Sequence, residues 1–194
     1  MDGNKAEVIG LLCAEGNYYD ERSSYFQYYP ERKKSYFKRN KRTVYIQFAN
    51  FDEKLLKRFQ HLIKKVYGYS PRLNSDRVRI CRRKAITDLL KFTNYGCLNW
   101  KMPPQILKNK NLLSRFIKGY FEGDGSHCKN KICFSSSNYK GLTQVKKGLE
   151  ILKIKSSLYG PYQRRGKEKE YLLQLRRESW DRFLTIIKPR YKCL

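Results

Sequence analysis

The sequence predicts an α+β fold: a pseudo-twofold tandem αββαββα repeat with two antiparallel sheets and a central two-helix interface. Three observations predict it. Two apolar runs share one spacing, Val8-Ile9-Gly10-Leu11-Leu12-Cys13-Ala14-Glu15-Gly16 and Phe116-Ile117-Lys118-Gly119-Tyr120-Phe121-Glu122-Gly123-Asp124-Gly125. In each, a glycine is followed four positions later by a small residue, then an acid, then a glycine. The periodicities that follow each run come in the same order, and 194 residues suffice for two small units sharing a core.

Each element can be justified in turn. The opening runs read as helices. After them Val44, Ile46 and Phe48 alternate with Tyr45 and Gln47, as Ile132 and Phe134 alternate with Cys133 and Ser135, which is the pattern of half-buried strands. An Asn-aromatic pair, Asn50-Phe51 or Asn138-Tyr139, then opens a helix. Leu55, Leu56, Phe59, Leu62 and Ile63 recur at helical spacing in the first, and Leu142, Val145, Leu149 and Leu152 in the second. Short strands are expected near residues 70–73 and 77–81, then 157–162 and 170–175. A final helix carries Ile86, Leu89, Leu90 and Phe92 in one half and Trp180, Phe183, Leu184 and Ile187 in the other.

Asn138 follows Asn50 by 88 positions, whereas Asp124 follows Glu15 by 109, so the first half holds 21 extra residues between its acid and that Asn. They fall in 17–42, rich in Tyr, Lys and Arg, where a longer hairpin is expected. Gly96, Pro103 and Pro104 break both patterns across 93–111. The expected domains are 1–98 and 112–194, with a linker at 99–111.

Charge narrows the function. Lys and Arg total 43 against 17 acids, a formal +26. Such an excess repels itself in the compact state and calls for a polyanionic partner, and its spread along the chain favours nucleic acid over a membrane surface. No stretch reads as a membrane span or a secretory signal, so an intracellular protein is expected. The six cysteines, Cys13, Cys81, Cys97, Cys128, Cys133 and Cys193, form no C-x-x-C pair and are expected to be reduced and mostly buried. His127, Cys128 and Cys133 lack a fourth ligand for zinc.

On helices, Gly10 and Ala14 lie one turn apart on one face, as do Gly119 and Gly123. Small residues at that spacing let two helix backbones approach more closely than the usual ~8–10 Å. Glu15 and Asp124 would then meet at the helix ends, each before a glycine suited to a helix C-terminus. Carboxylates at the negative end of a helix dipole are unfavourable, and two together more so. A hard divalent cation resolves the conflict.

The run IGLLCAEGN resembles the LAGLIDADG motif of homing endonucleases, and FIKGYFEGDGS resembles it more closely. The approach Lys101-Met102-Pro103-Pro104 is similar to the segment that precedes a second motif in single-chain members. Glu15 departs from the usual Asp. The resemblance implies two sheets acting as saddles on a long double-stranded DNA site, and a monomeric enzyme. A splicing Cys or Ser start and a His-Asn end are lacking, so an intron-encoded or free-standing protein is expected rather than an intein. The resemblance further implies hydrolysis of one phosphodiester per strand with 3′ overhangs of four nucleotides.

It also implies two or three Mg²⁺ ions held by Glu15 and Asp124 with the carbonyls of Ala14 and Gly123, and Lys101, Lys192 and Gln47 near the scissile phosphates. The strand and hairpin residues Arg72, Arg77, Arg79, Arg82, Lys129, Lys131, Arg164, Arg165 and Arg176 would contact DNA. Lys33, Lys34, Lys38, Arg39, Lys41 and Arg42 would extend the footprint. The alternative is an RNA maturase or DNA-binding regulator on the same fold without cleavage. A histidine-metal nuclease is disfavoured because His61 and His127 are far apart, and the triplet Glu31-Arg32-Lys33 lacks the strand context of a restriction-type site.

Overall fold

The computed structural model describes residues 1–163 and 168–190. The first half runs α1 (Gly3–Glu15), β1 (Gly16–Tyr29), β2 (Lys34–Ala49), α2 (Glu53–Tyr67), β3 (Arg72–Leu73), β4 (Arg77–Ile80) and α3 (Arg83–Leu90). A short helix, α4 (Pro104–Leu107), precedes the second: α5 (Lys110–Asp124), β5 (Gly125–Cys128), β6 (Lys131–Ser136), α6 (Tyr139–Ile151), β7 (Ser156–Tyr162), β8 (Glu170–Leu175) and α7 (Trp180–Ile187). The two sheets have the equivalent antiparallel orders β1-β2-β4-β3 and β5-β6-β8-β7. This is the expected αββαββα repeat.

α1 is buried without interruption from Ala6 to Cys13, as a helix packed on all sides must be. Inward-facing Ile46, Phe48, Val78 and Ile80 cover it from the first sheet, and Ile132, Phe134, Leu173 and Leu175 do the same for α5 from the second. One apolar core therefore joins the halves through the helix pair.

The segment read as linker packs into the core: Tyr95, Trp100, Met102 and Ile106 are buried, with Trp100 tilted against Tyr120 at 4.9 Å. Two local details differ from expectation. α5 starts at Lys110, because Asn109 accepts from the amides of Asn111 (3.0 Å) and Leu112 (3.1 Å). Asn138 caps α6 as expected, accepting from Gly141 N at 2.9 Å, but in the first half the cap is Asp52, which accepts from Lys54 N (2.8 Å) and Leu55 N (3.3 Å). Asn50 is thereby released from capping, and Phe51 is almost fully exposed.

The cysteine expectation also needs correcting. Cys13 and Cys133 are buried, but Cys81, Cys97 and Cys128 are exposed, and all five are free thiols. Cys81 and Cys97 lie outside helices and strands and Cys128 ends an edge strand, so the core does not cover them. Cys193 lies outside the described residues.

Candidate active site

The approach of α1 to α5 is set by two glycines in a reciprocal contact. A β-carbon at Gly10 would lie 2.2 Å from the carbonyl oxygen of Phe116 and 2.9 Å from Tyr120 N. One at Gly119 would lie 2.3 Å from the carbonyl oxygen of Glu7 and 3.0 Å from Leu11 N. The two contact lists map onto each other under the same 109-residue shift that relates Glu15 to Asp124. Further along, a β-carbon at Gly123 would lie 2.4 Å from Cβ of Ala14 and 3.3 Å from Cγ of Glu15. Only one methyl fits between the helix ends, and the first half supplies it.

Both helices therefore end together, and Glu15 and Asp124 close them. The closing glycines work differently from expectation. Gly16 (φ −95°, ψ 142°) and Gly125 (φ −88°, ψ 152°) are extended rather than left-handed. Space requires them: an added β-carbon would come within 2.3 Å of the carbonyl oxygens of Leu12 and Phe121, respectively. Each acid thus sits where the chain turns directly from helix to strand.

The pair is electrostatically unsatisfied. Burial raises the pKa of Asp124 well above the ordinary carboxylate value, and the facing Glu15 raises it further. Burial also raises Glu15, against a lowering contribution from Asn50, whose Nδ2 donates to Glu15 Oε1 at 3.4 Å. Two desolvated acids whose ionisation is disfavoured thus close the ends of two helix dipoles, where a cation would stabilise their charged forms.

A family model described as a LAGLIDADG-like domain matches residues 111–188, the half that carries Asp124. The second half of the chain is a LAGLIDADG-like domain.

The two-domain LAGLIDADG fold also appears in solved structures. A structure of mesophilic variants of the homing endonuclease I-DmoI is similar with a TM-score of 0.69 and 17% identity, covering 96% of each chain. I-DmoI in complex with DNA and Mn gives a TM-score of 0.65 at 17% identity, over 95% of this chain and 96% of that one. The N-terminal LAGLIDADG domain of DUF199/WhiA gives 0.62 at 14% identity, over 98% and 83%. A DNA polymerase of Methanocaldococcus jannaschii is 30% identical over 184 residues, 88% of this chain. The chain spans only 10% of the length of that relative.

The other expected site residues divide by position. Ala14 and Gly123 are the last helical residues before the acids. A cavity beside Asp124 is lined by Ala14, Trp100, Ser135 and Ser136. Lys101 follows Trp100, exposed, on a backbone clamped by three side chains. Trp100 O accepts from Asn138 Nδ2 (2.8 Å), Lys101 N donates to Thr93 Oγ1 (2.8 Å), and Met102 N donates to Gln144 Oε1 (2.7 Å). Gln47 pairs in register with Asn17, next to the Glu15 end, and its Oε1 accepts from Arg79 Nε at 3.0 Å. Lys192 lies outside the described residues, as do Arg164 and Arg165.

Strand register sorts the basic residues. On the first sheet, Gln47, Arg79 and Arg72 lie side by side on the face opposite the core, with Arg77 one step away on that face. Arg79 also stacks over Tyr45 at 4.8 Å, and Tyr45 over Tyr19 at 4.7 Å. Arg77 is paired with Asp76. Lys41 shares this face in the hairpin.

Past Ser23/Tyr25 the register shifts, and Lys38 and Lys34 take it over. Lys41 sits over Tyr25 and Lys38 over Tyr29. Arg39 falls within the shift, and Lys33 turns the hairpin tip beside the exposed Pro30–Arg32 turn. That turn places Glu31-Arg32-Lys33 far out on the arm, away from both acids.

Arg42 departs from the DNA-facing expectation. It has the parity of Val44 and Ile46, so it faces the core side of the sheet plane, where it binds Asp20 through Nε and an Nη, each at 2.7 Å. Arg82, at the start of α3, stacks on Tyr69 at 4.2 Å. In the second sheet Lys131 faces outward opposite Cys128, Lys129 sits in the β5–β6 turn, and Arg176 follows β8 with the parity of outward-facing Gln174.

Sequence reasoning missed a charged group at the helix interface. Glu7 of α1 and Glu122 of α5 are both buried, with Arg58 of α2 between them: its Nε lies 2.9 Å from Glu7 and 3.4 Å from Glu122. Arg115 reaches Glu7 at 3.4 Å. The available signal was an acid, Glu7, at the edge of an otherwise uncharged buried run. Tyr120, Asn138 and Thr93 also gave no chemical cue in one dimension.

Proposed function

We propose that the chain is a homing endonuclease. It binds a long duplex DNA site as a monomer and hydrolyses one phosphodiester on each strand, leaving 3′ overhangs, with Mg²⁺ as the working cation. The observation that carries this reading is the meeting of Glu15 and Asp124 at the ends of the glycine-packed helices, beside a first sheet whose outer face carries Arg72, Arg77 and Arg79. An intracellular location belongs to the same proposal.

The donor set fits a hard divalent cation. Among the described residues no third His, Cys, Asp or Glu joins the two acids. The remaining ligands must then be carbonyl, water and phosphate oxygens, a mixture that Mg²⁺ accepts. Glu15 and Asp124 would hold two or three ions, with the carbonyls of Ala14 and Gly123 as further candidate ligands. When bound, the cation promotes ionisation of water and neutralises charge at the phosphate.

The chain supplies the rest. The outer face of the first sheet, with Arg72, Arg77 and Arg79, meets a DNA groove, and Lys34, Lys38 and Lys41 extend contact along the backbone. With Arg82, Lys129, Lys131 and Arg176 they make binding electrostatic. About 6–10 phosphate contacts would lose roughly 10³–10⁵-fold in affinity between ~50 and ~200 mM salt. Lys101, on its clamped segment, adds positive charge next to the Asp124 cavity, and Gln47 orders Arg79 near Glu15.

The test is cleavage of the gene that adjoins this reading frame, joined without the intervening sequence, in Mg²⁺ and in chelator. The proposal predicts one double-strand break at a fixed site in Mg²⁺ and none in chelator. Specific binding without a break under any divalent cation would favour the maturase or regulator reading instead.

A further inference from the structure

We propose that the two acids are positioned by non-equivalent side chains, Glu15 by Asn50 and Asp124 by Tyr120, so that each positioning residue governs cleavage of one strand. This rests on the endonuclease reading above and deepens it.

Repeat symmetry would have Asn138 do for Asp124 what Asn50 does for Glu15. It does not. Both ends of the Asn138 amide are committed: Oδ1 caps α6 on Gly141 N at 2.9 Å, and Nδ2 donates to Trp100 O at 2.8 Å. In the first half Asp52 has taken over the cap. Asn50 keeps only the local bond from Asp52 N to its Oδ1 (2.8 Å), which leaves Nδ2 for Glu15. Two residues in matching sequence positions therefore perform different tasks, because the helix cap moved by two positions in one half.

Asp124 has a different neighbour. Tyr120 lies one turn earlier on α5, where side chains at i and i+4 share a face and the later one tilts back over the earlier. The ring is fully buried and fixed by Trp100 at 4.9 Å and Phe134 at 5.9 Å. Its hydroxyl is cut off from solvent and has no partner at full hydrogen-bond geometry; the groups it faces are Asp124 and Ser136. Asp124, Trp100 and Ser136 line one cavity, and Tyr120 lies buried behind that lining. A buried hydroxyl left unpaired is costly, and donation to the carboxylate removes that cost while fixing the orientation of the acid. The position equivalent to Tyr120 is Leu11, which has no hydroxyl to offer Glu15.

The test compares Tyr120→Phe, Asn50→Ala and the double variant with the unaltered protein. Nicking of each strand is followed separately by end label, and Mn²⁺ affinity of the protein–DNA complex is measured by calorimetry. Melting temperature and DNA affinity without metal serve as structural controls. Loss of a residue that orients a metal-holding carboxylate should slow one strand or weaken Mn²⁺ binding by about 10–100-fold.

The proposal predicts that the two variants bias the ratio of nicked strands in opposite directions, that each weakens a part of the Mn²⁺ isotherm, and that the double variant shows both losses. Equal slowing of both strands, or unchanged nicking and Mn²⁺ binding in Tyr120→Phe, overturns it. Should the unaltered protein bind DNA and Mn²⁺ without nicking, the endonuclease reading fails, and the calorimetry alone decides between the same two outcomes for Asn50 and Tyr120.

Discussion

A β-carbon at Gly119 would lie 2.3 Å from the backbone carbonyl oxygen of Glu7, so these two residues set how closely the halves of the molecule meet. The obstructing atom is backbone and cannot swing aside. Gly119→Ala must therefore push α5 off α1 and misalign the acids. It is expected to cost at least ~1–3 kcal/mol, as core overpacking does. Gly68 is the control. It is left-handed (φ 70°) with open space around it, so Gly68→Ala should cost only about 1 kcal/mol through backbone strain. Urea denaturation of both variants measures the difference, and Gly119→Ala alone should lose DNA cleavage.

Arg58 sits between two buried acids from different halves. Its removal leaves Glu7 and Glu122 without a central counter-charge, and breaking a buried pair from one side costs about 3–5 kcal/mol. Arg58→Met should destabilise by that order, and adding Glu7→Gln to it should recover part of the loss. A double-mutant cycle in chemical denaturant checks both.

Protonation links stability and activity at the acid pair. Glu15 and Asp124 both titrate above their unfolded values, so the folded, metal-free protein holds protons more tightly than the unfolded chain. Their contribution to stability is present below the unfolded carboxylate pKa and is lost as pH rises through the folded values. Metal-free melting temperature should therefore fall over that rise in pH relative to a Glu15→Gln, Asp124→Asn variant, and Mg²⁺ should restore it. Cleavage should run the opposite way, rising with pH, and higher Mg²⁺ should shift the profile to lower pH because cation and proton compete.

Arginines on opposite faces of the first sheet should behave differently toward DNA. Arg79 lies on the outer face with Gln47, whereas Arg42 is held by Asp20 on the other face. Arg79→Ala should weaken target binding by roughly 1–3 kcal/mol if it reads a base, or lower the salt slope by about 1 if it holds a phosphate. Arg42→Ala should change neither measurably. Fluorescence anisotropy over a salt series distinguishes these outcomes.

Much of this architecture can be read from residue spacing. Gly10/Ala14 and Gly119/Gly123 fall one helical turn apart, so a close helix pair ending in Glu15 and Asp124 follows from local geometry. What escaped depends on small shifts or distant partners. The cap at Asp52 rather than Asn50 is a two-residue change that redirects an amide to Glu15. The register shift at Ser23/Tyr25 reverses side-chain parity in β2, so Lys38 and Lys41 share a face although they are three apart. Asn138 with Trp100, and Arg58 with Glu7, join residues 38 and 51 positions apart, which no periodicity encodes. The closing glycines do lie at the helix ends, but the reason, close packing against Leu12 and Phe121, is not legible in one dimension.

The most direct test of the account is strand-resolved cleavage of bound target DNA in Mg²⁺ by Glu15→Gln and Asp124→Asn, with DNA affinity measured in parallel. Each variant is expected to bind nearly as tightly as the unaltered protein and to fail to cut at least one strand. Full double-strand cleavage by either variant would show that the carboxylate between the helix ends is not what holds the catalytic cation.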